Sequence, residues 1–362
     1  MPTNTIDIIW NAATSVAPLG FVPVAIHFCL FDALVELDRP VKGQELLDAF
    51  PEKFCGRQTT AYDTLFAMTA LSWVELVDGN RYKANDTTRH LARTPSALHG
   101  VLHFATEILF SSAFLMRKLQ ASDFEYPFAG LDTPMQFAYR AMGNDRLAQM
   151  HTYDIMAEEG RIASFNTFMQ GKLGNERTMP ERLTLLGYDL ASVVEEARGQ
   201  GQPVTMVDVG GGRGDMMLQV KEAIPGLEEK DLIVEECNPD ITAIPGLSLV
   251  VWDYNAKNSP QPVEGALVYH LAGVFHNLPD LDAVRLLRKL SEAMAPYSRV
   301  LVHERRKAAV PGSHAAMVVL YGGRERSVEE WNELVELAGL QVTFYAFPDD
   351  RGLGVVEMRK KV

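Results

Sequence analysis

Cysteine is scarce: Cys29, Cys55 and Cys237 are the only three in 362 residues, far apart and in no paired spacing. That excludes a disulfide framework and the familiar zinc or iron-sulfur ligand patterns, and it reads as free thiols in a reducing compartment. Basic residues are few as well. The 34 lysines and arginines face 47 aspartates and glutamates, a formal charge of -13. Such a field repels phosphate backbones and anionic lipid, so neither nucleic acid nor a stable membrane association is expected. The first ten residues carry Asp7 as their one charged side chain and lack the basic leader of a secretory signal. The early apolar stretch from Val16 to Val35 is broken by Pro18, Pro23, His27 and Asp32, which predicts a buried helix with an interrupted start and not a membrane span. A cytoplasmic protein is the expectation.

What is present suffices for ordinary cores, with 47% apolar and 22% charged residues. At about 150 residues per domain the length predicts two or three domains. The first half reads as helices with one small hairpin. Gly43–Phe50 and Thr59–Trp73 show helical periodicity, and Trp73–Val77 alternates before Asp78-Gly79-Asn80 turns the chain back toward Tyr82. That order predicts a winged helix over residues 1–95. Its second helix has no lysine or arginine to meet phosphate or guanine, so the wing reads as a scaffold at a subunit interface. Residues 96–180 read as an interrupted helical region with an aromatic loop at Phe124–Phe128, a helix over Gly160–Met169 and a hinge over Gly171–Pro180. Phe165, Phe168 and Met169 suit either a core or a flat apolar ligand. His151, beside Tyr153, is another candidate for that pocket.

From 181 to 362 the period changes. Short apolar runs at Val204–Val209, Leu232–Val234, Leu247–Val251, Ala266–Tyr269 and Val300–Val302 alternate with helical stretches, predicting an α/β domain with a parallel sheet. Val342–Phe347 and Gly354–Met358 follow one another without a helix, as an edge hairpin would. The first strand runs into Val207-Asp208-Val-Gly210-Gly-Gly212-Arg-Gly214-Asp215. Asp215 stands where a dinucleotide fingerprint wants glycine, and its charge opposes a pyrophosphate at the same helix start. S-adenosylmethionine, cationic and free of phosphate, suits this turn. The second strand ends at Glu235-Glu236, either of which can accept from two ribose hydroxyls, with Glu236 preferred. The third ends near Asp253, placed to receive an adenine amino group.

The fourth strand leads to Gly273-Val-Phe-His276-Asn277-Leu278, on the edge where such sheets bind ligands. A near-neutral imidazole there is a general-base candidate for a phenolic proton. His270, at the strand end, could face substrate or be structural. Glu304 ends the next strand and Glu325 precedes a helix, so either could fix the His276 tautomer. Ser327 and Glu330 form a separate capping box.

On Val207–Gly214, Gln261-Pro-Val-Glu-Gly-Ala266, His276-Asn-Leu-Pro-Asp280 and Arg324-Glu-Arg-Ser327, the chain resembles small-molecule O-methyltransferases that use S-adenosylmethionine, in their fungal secondary-metabolite branch. The likeness runs nearly end to end. It implies a carboxyl-terminal Rossmann-like class I methyltransferase domain and a mostly helical, winged-helix amino-terminal domain that forms a homodimer. It implies His276 as base, Glu304 and Glu325 as its orienters, and Asp208, Gly210, Gly212, Gly214, Glu236 and Asp253 at the cofactor. His151, Phe165, Met169 and His270 are then pocket candidates for an apolar aromatic or polyketide-derived acceptor, with no metal. Some fungal relatives bind the cofactor yet catalyse pericyclic rearrangement, and that is the rival expectation. Asn277-Leu278 departs from the His-Asp-Trp pattern common in the family.

Overall fold

The structure, a computed structural model, describes residues 4–54, 58–174, 177–238 and 241–361. The chain divides into two compact units, residues 1–123 with 134–175, and residues 124–133 with 176–362. Cys55 lies outside the described residues, as do positions 175–176 of the expected hinge. Around that gap the helix Ile162–Gly174 extends past the predicted end, and Thr178 already caps the helix Met179–Leu185.

In the first unit the stretch after Val16 forms three short helices, Val16–Leu19, Val22–His27 and Leu30–Leu37, each proline lying in a helix's first turns or last turn. Helices Gly43–Ala49 and Gln58–Ala70 follow, then two antiparallel strands, β1 (Glu75–Val77) and β2 (Arg81–Lys83), which Val41 joins through Tyr82. Leu30, Phe31, Leu34, Leu46, Leu65 and Met68 fill the core between them. The Asn85 side chain accepts from Thr88 N while Thr88 Oγ1 accepts from Asn85 N, a reciprocal cap that starts helix Asp86–Arg93 and contributes about 1 kcal/mol. The helical run Pro95–Ala121 is long and apolar enough, by length and composition, to cross a membrane. It packs on Ile162–Gly174 within its own unit, and its Glu107, in a π-helical turn, is buried against Arg161 Nε at 2.6 Å.

The second unit holds a seven-stranded sheet. Its strands are β3 (Met206–Val209), β4 (Leu232–Glu236), β5 (Ser248–Val251), β6 (Val268–Ala272), β7 (Arg299–His303), β8 (Leu340–Ala346) and β9 (Val355–Lys360), in the order β5-β4-β3-β6-β7-β9-β8. The first five pair in parallel and β9 enters antiparallel, with β8 at the edge. Every residue of β3 is buried, as expected of a parallel strand covered on both faces. The chain works outward from β3 to β5, then returns to build β6 on the other side. The crevice beyond the ends of β3 and β6 is therefore the switch point at which such sheets take ligands. The loop 124–133, which its sequence places among the helices of the middle region, packs with this unit. A Cβ on Gly322 would stand 2.9 Å from Phe128 O.

Candidate active site

β3 ends in the glycine turn, with positive φ at Gly210, Gly212 and Gly214. Such backbone is strained for any residue with a Cβ. Gly210 N and Gly211 N both donate to Glu235 O at the end of β4, at 2.8 and 3.2 Å. A Cβ on Gly214 would meet Val234 and Leu247 at 2.7 and 2.5 Å, so glycine lets the helix Asp215–Ala223 start tight against the sheet. The space beside Gly212 is open.

Of the two candidate carboxylates, Glu236 stands at the turn. Its Oε1 accepts from Cys237 N at 2.9 Å and Asn238 N at 3.3 Å, and its Oε2 accepts from Gly212 N at 3.2 Å, which leaves Oε2 capacity for another donor. Glu235 points into the interior, where Gln261 Nε2 donates to it at 3.0 Å. Burial, helped by the Asp208 charge and opposed by Gln261, pushes its carboxyl up to about 7. Asp253 is exposed beyond β5 and accepts from Asn255 N at 2.9 Å, holding its own turn. Tyr254 lies 3.9 Å from where a Gly210 Cβ would be, so an aromatic ring does stand beside the turn. Leu278, by contrast, is buried in the sheet core.

The Asp208 carboxylate is buried beneath the turn, with Oδ2 2.5 Å from where Gly211 would carry a Cβ. His270 is fully buried, with Nδ1 2.6 Å from Asp208 Oδ1. Strand parity brings them together. Val207 and Val209 pack on one face of the sheet and Asp208 on the other, in register with His270.

His276 sits in a single 3₁₀ turn, Phe275–Asn277, after β6. Its loop adjoins the glycine turn, because Val274 Cγ2 lies 3.3 Å from a Cβ built on Gly210. Two acids from different elements reach it. Glu304, just past β7, accepts from His276 N at 3.1 Å and holds Oε2 3.4 Å from Nδ1. Glu325 Oε1 is 3.2 Å from Nδ1 and also accepts from Ser313 Oγ at 3.0 Å. Both acids are buried, and an ionised carboxylate can only accept, so Nδ1 carries the proton and Nε2 keeps its lone pair on the opposite side of the ring. The environments separate the two carboxyls. Burial and the Glu325 charge push Glu304 up against the pull of His276. Burial also opposes ionisation of Glu325, but the hydrogen bond and charge of His276 and the Ser313 hydroxyl outweigh it and hold Glu325 below the usual range. These three donors lie within 4.8 Å of one another, a spacing metal ligands also adopt; a ring N–H shared between two acids accounts for it.

Sequence reasoning missed what holds this loop. Arg326, almost fully buried, donates from Nη1 to Phe275 O at 2.7 Å and from Nη2 to Leu278 O at 2.8 Å, and it pairs with Asp280. Arg324 pairs with the same aspartate. A Cβ on Gly323 would stand 2.2 Å from His276 O, so only glycine lets that segment lie against the loop. The Arg324-Glu-Arg326 spacing was the visible signal, but partners some 45 residues apart are not.

In the first unit His151 caps the helix Thr152–Glu158, Nδ1 accepting from Tyr153 N at 3.4 Å. Its ring, Tyr153, Phe165, Phe168 and His103 form one aromatic cluster, and Met169 is half-buried on the same helix as the two phenylalanines.

Residues 201–341 match the O-methyltransferase domain family. Over 357 residues the chain is 44% identical to the O-methyltransferase bfoE of Aspergillus brasiliensis, covering 97% of this chain and 95% of that one. The chain belongs to the O-methyltransferase family. In fold, this O-methyltransferase is similar to LepI in complex with SAM (TM-score 0.79, 20% identity, 99% of this chain and 90% of that chain). A second solved structure, described as a pericyclic reaction enzyme, gives the same TM-score, identity and coverage. Both likenesses concern the architecture: a helical amino-terminal region and a Rossmann-like carboxyl-terminal domain of the class I methyltransferase type.

Proposed function

We propose that this O-methyltransferase methylates a hydroxyl of an aromatic, polyketide-derived metabolite, with S-adenosylmethionine as donor and His276 as general base. The observation that carries the reading is the His276 ring, its Nδ1 held by Glu304 and Glu325 beside the glycine turn. The residues present fit the cofactor: open backbone at Gly212, an acceptor at Glu236 Oε2 for a ribose hydroxyl, a ring at Tyr254, and acidic neighbours in Glu236, Asp253 and Asp215 that favour a cation. When bound, it supplies an electrophilic methyl group on a cationic sulfur. With the bound donor supplying the methyl group, His276 Nε2 would take the hydroxyl proton, and Glu325 would stabilise the imidazolium through Nδ1–H. The rest of the chain's contribution is alignment. Asp208 acts from beneath the turn, while Gly210, Gly212 and Gly214 line it. The aromatic cluster with His151, Phe165 and Met169 is proposed to line the acceptor pocket, and the first unit to form a homodimer.

The test is single-turnover methylation of a panel of polyhydroxylated naphthalenes and anthraquinones with methyl-labelled S-adenosylmethionine. His276→Asn is expected to slow transfer by about 10²- to 10⁴-fold, the usual general-base contribution, with cofactor affinity retained. An unchanged rate removes His276 from the role. The likeness to a pericyclic enzyme keeps a second reading in the same assay, in which the product is an isomer and the label stays on the cofactor. The base assembly around His276 favours transfer, since isomerisation needs no such proton acceptor.

A further inference from the structure

Beneath the glycine turn lies a buried polar pair of which the proposed function names only Asp208. Asp208 in β3 pairs in register with His270 in β6, and His270 Nδ1 stands 2.6 Å from Asp208 Oδ1, both side chains buried. A carboxylate can only accept, so Nδ1 carries the proton and donates. His303, from β7, packs its ring 5.1 Å from that of His270 at 66°. Burial holds His303 well below the usual histidine range, with the charges of His270 and Arg182 adding. It is a neutral wall, and neither of its ring nitrogens has a hydrogen-bond partner among the described residues. The other Asp208 oxygen lies under Gly211, at 2.5 Å from where a Cβ would be. Gly211 is in turn tied to Glu235 O, and the next residue, Gly212, to Glu236.

We infer that His270 is a positioning residue for the cofactor site: its Nδ1–H fixes the Asp208 carboxylate beneath Gly211, and that carboxylate props the turn that presents Gly210 and Gly212. A free Asp208 has several staggered rotamers, and the bond from His270 selects the one that fills the space under the turn. The inference rests on the reading that S-adenosylmethionine binds at this turn.

Calorimetry with S-adenosylmethionine and S-adenosylhomocysteine tests it. His270→Phe keeps the ring against His303 and removes the donor; it is expected to weaken both ligands at least tenfold while the acceptor KM stays within about twofold. His270→Asn places its amide nitrogen where Nδ1 was and is expected to restore affinity to within about threefold of wild type. His303→Phe, which alters packing but not the bond to Asp208, should leave affinity unchanged. The inference is overturned if His270→Phe binds as wild type does, if His270→Asn loses as much as His270→Phe, or if His303→Phe matches the loss. Should His270→Phe not fold, His270→Gln, whose amide lies one bond farther out, takes its place with the same outcomes. A wild-type protein that binds neither ligand removes the cofactor reading itself.

Discussion

At the scale of single residues, the site gives two acids of one kind different jobs. Glu325 is held low and Glu304 is pushed up, so Glu325 is the more readily ionised of the two partners of the His276 Nδ1–H. Glu325→Gln is therefore expected to cost more in kcat than Glu304→Gln, by an order of magnitude or more, with both KM values near wild type; steady-state kinetics with any accepted phenol checks the ranking, and equal losses would contradict it. Glu304→Gln should keep the bond from His276 N to its side-chain oxygen. His276 and Glu304 were legible because each stands just past a strand, where period and chain order locate it, and Glu325 because it stands just ahead of a capped helix. The pairing of Asp208 with His270 was not legible, because alternation says that neighbours face opposite ways without saying which way is inward. That choice depends on the β3–β6 register. Ser313 was invisible, being a helix residue that matters only through Glu325.

At the scale of elements, the parallel strands, the edge hairpin and the capped helices follow from apolar runs and turn residues, and they stand close to where those runs put them. The excursion of 124–133 into the second unit does not, because nothing local records which core a loop joins. The first helix, Thr5–Thr14, raises the matching question for a surface. Ile6, Ile9 and Trp10, spaced three and four apart on one stripe, are all well exposed, and the helix buries no residue. This stripe is proposed as part of the homodimer contact. Light scattering on a sizing column should give roughly twice the 40.2 kDa of one chain. Ile9→Asp with Trp10→Asp should shift the population toward that single mass, whereas an unshifted dimer would place the contact elsewhere.

At the scale of the whole molecule, Glu235 ties stability to pH. Its carboxyl, with Oε1 unpartnered among the described residues, titrates at about 7 in the fold against an ordinary 4.5. A raised acid contributes stability that is complete below the unfolded value and is lost as pH rises through the folded one. The rise corresponds to about 3 kcal/mol at ~1.4 kcal/mol per pH unit. Glu235→Gln, which mimics the protonated form, should melt within a degree or two of wild type at pH 5 and several degrees above it at pH 9, by calorimetry. A gain that is the same at both pH values would mean that ionisation is not its source. Elsewhere the chain handles charge differently. The Arg326 guanidinium grips the carbonyls of Phe275 and Leu278, groups that every amino acid possesses. The posture of the His276 loop is thereby tied to main-chain groups, so a substitution at Asn277 leaves both of those bonds in place, whereas Leu278 is held by the core it packs in.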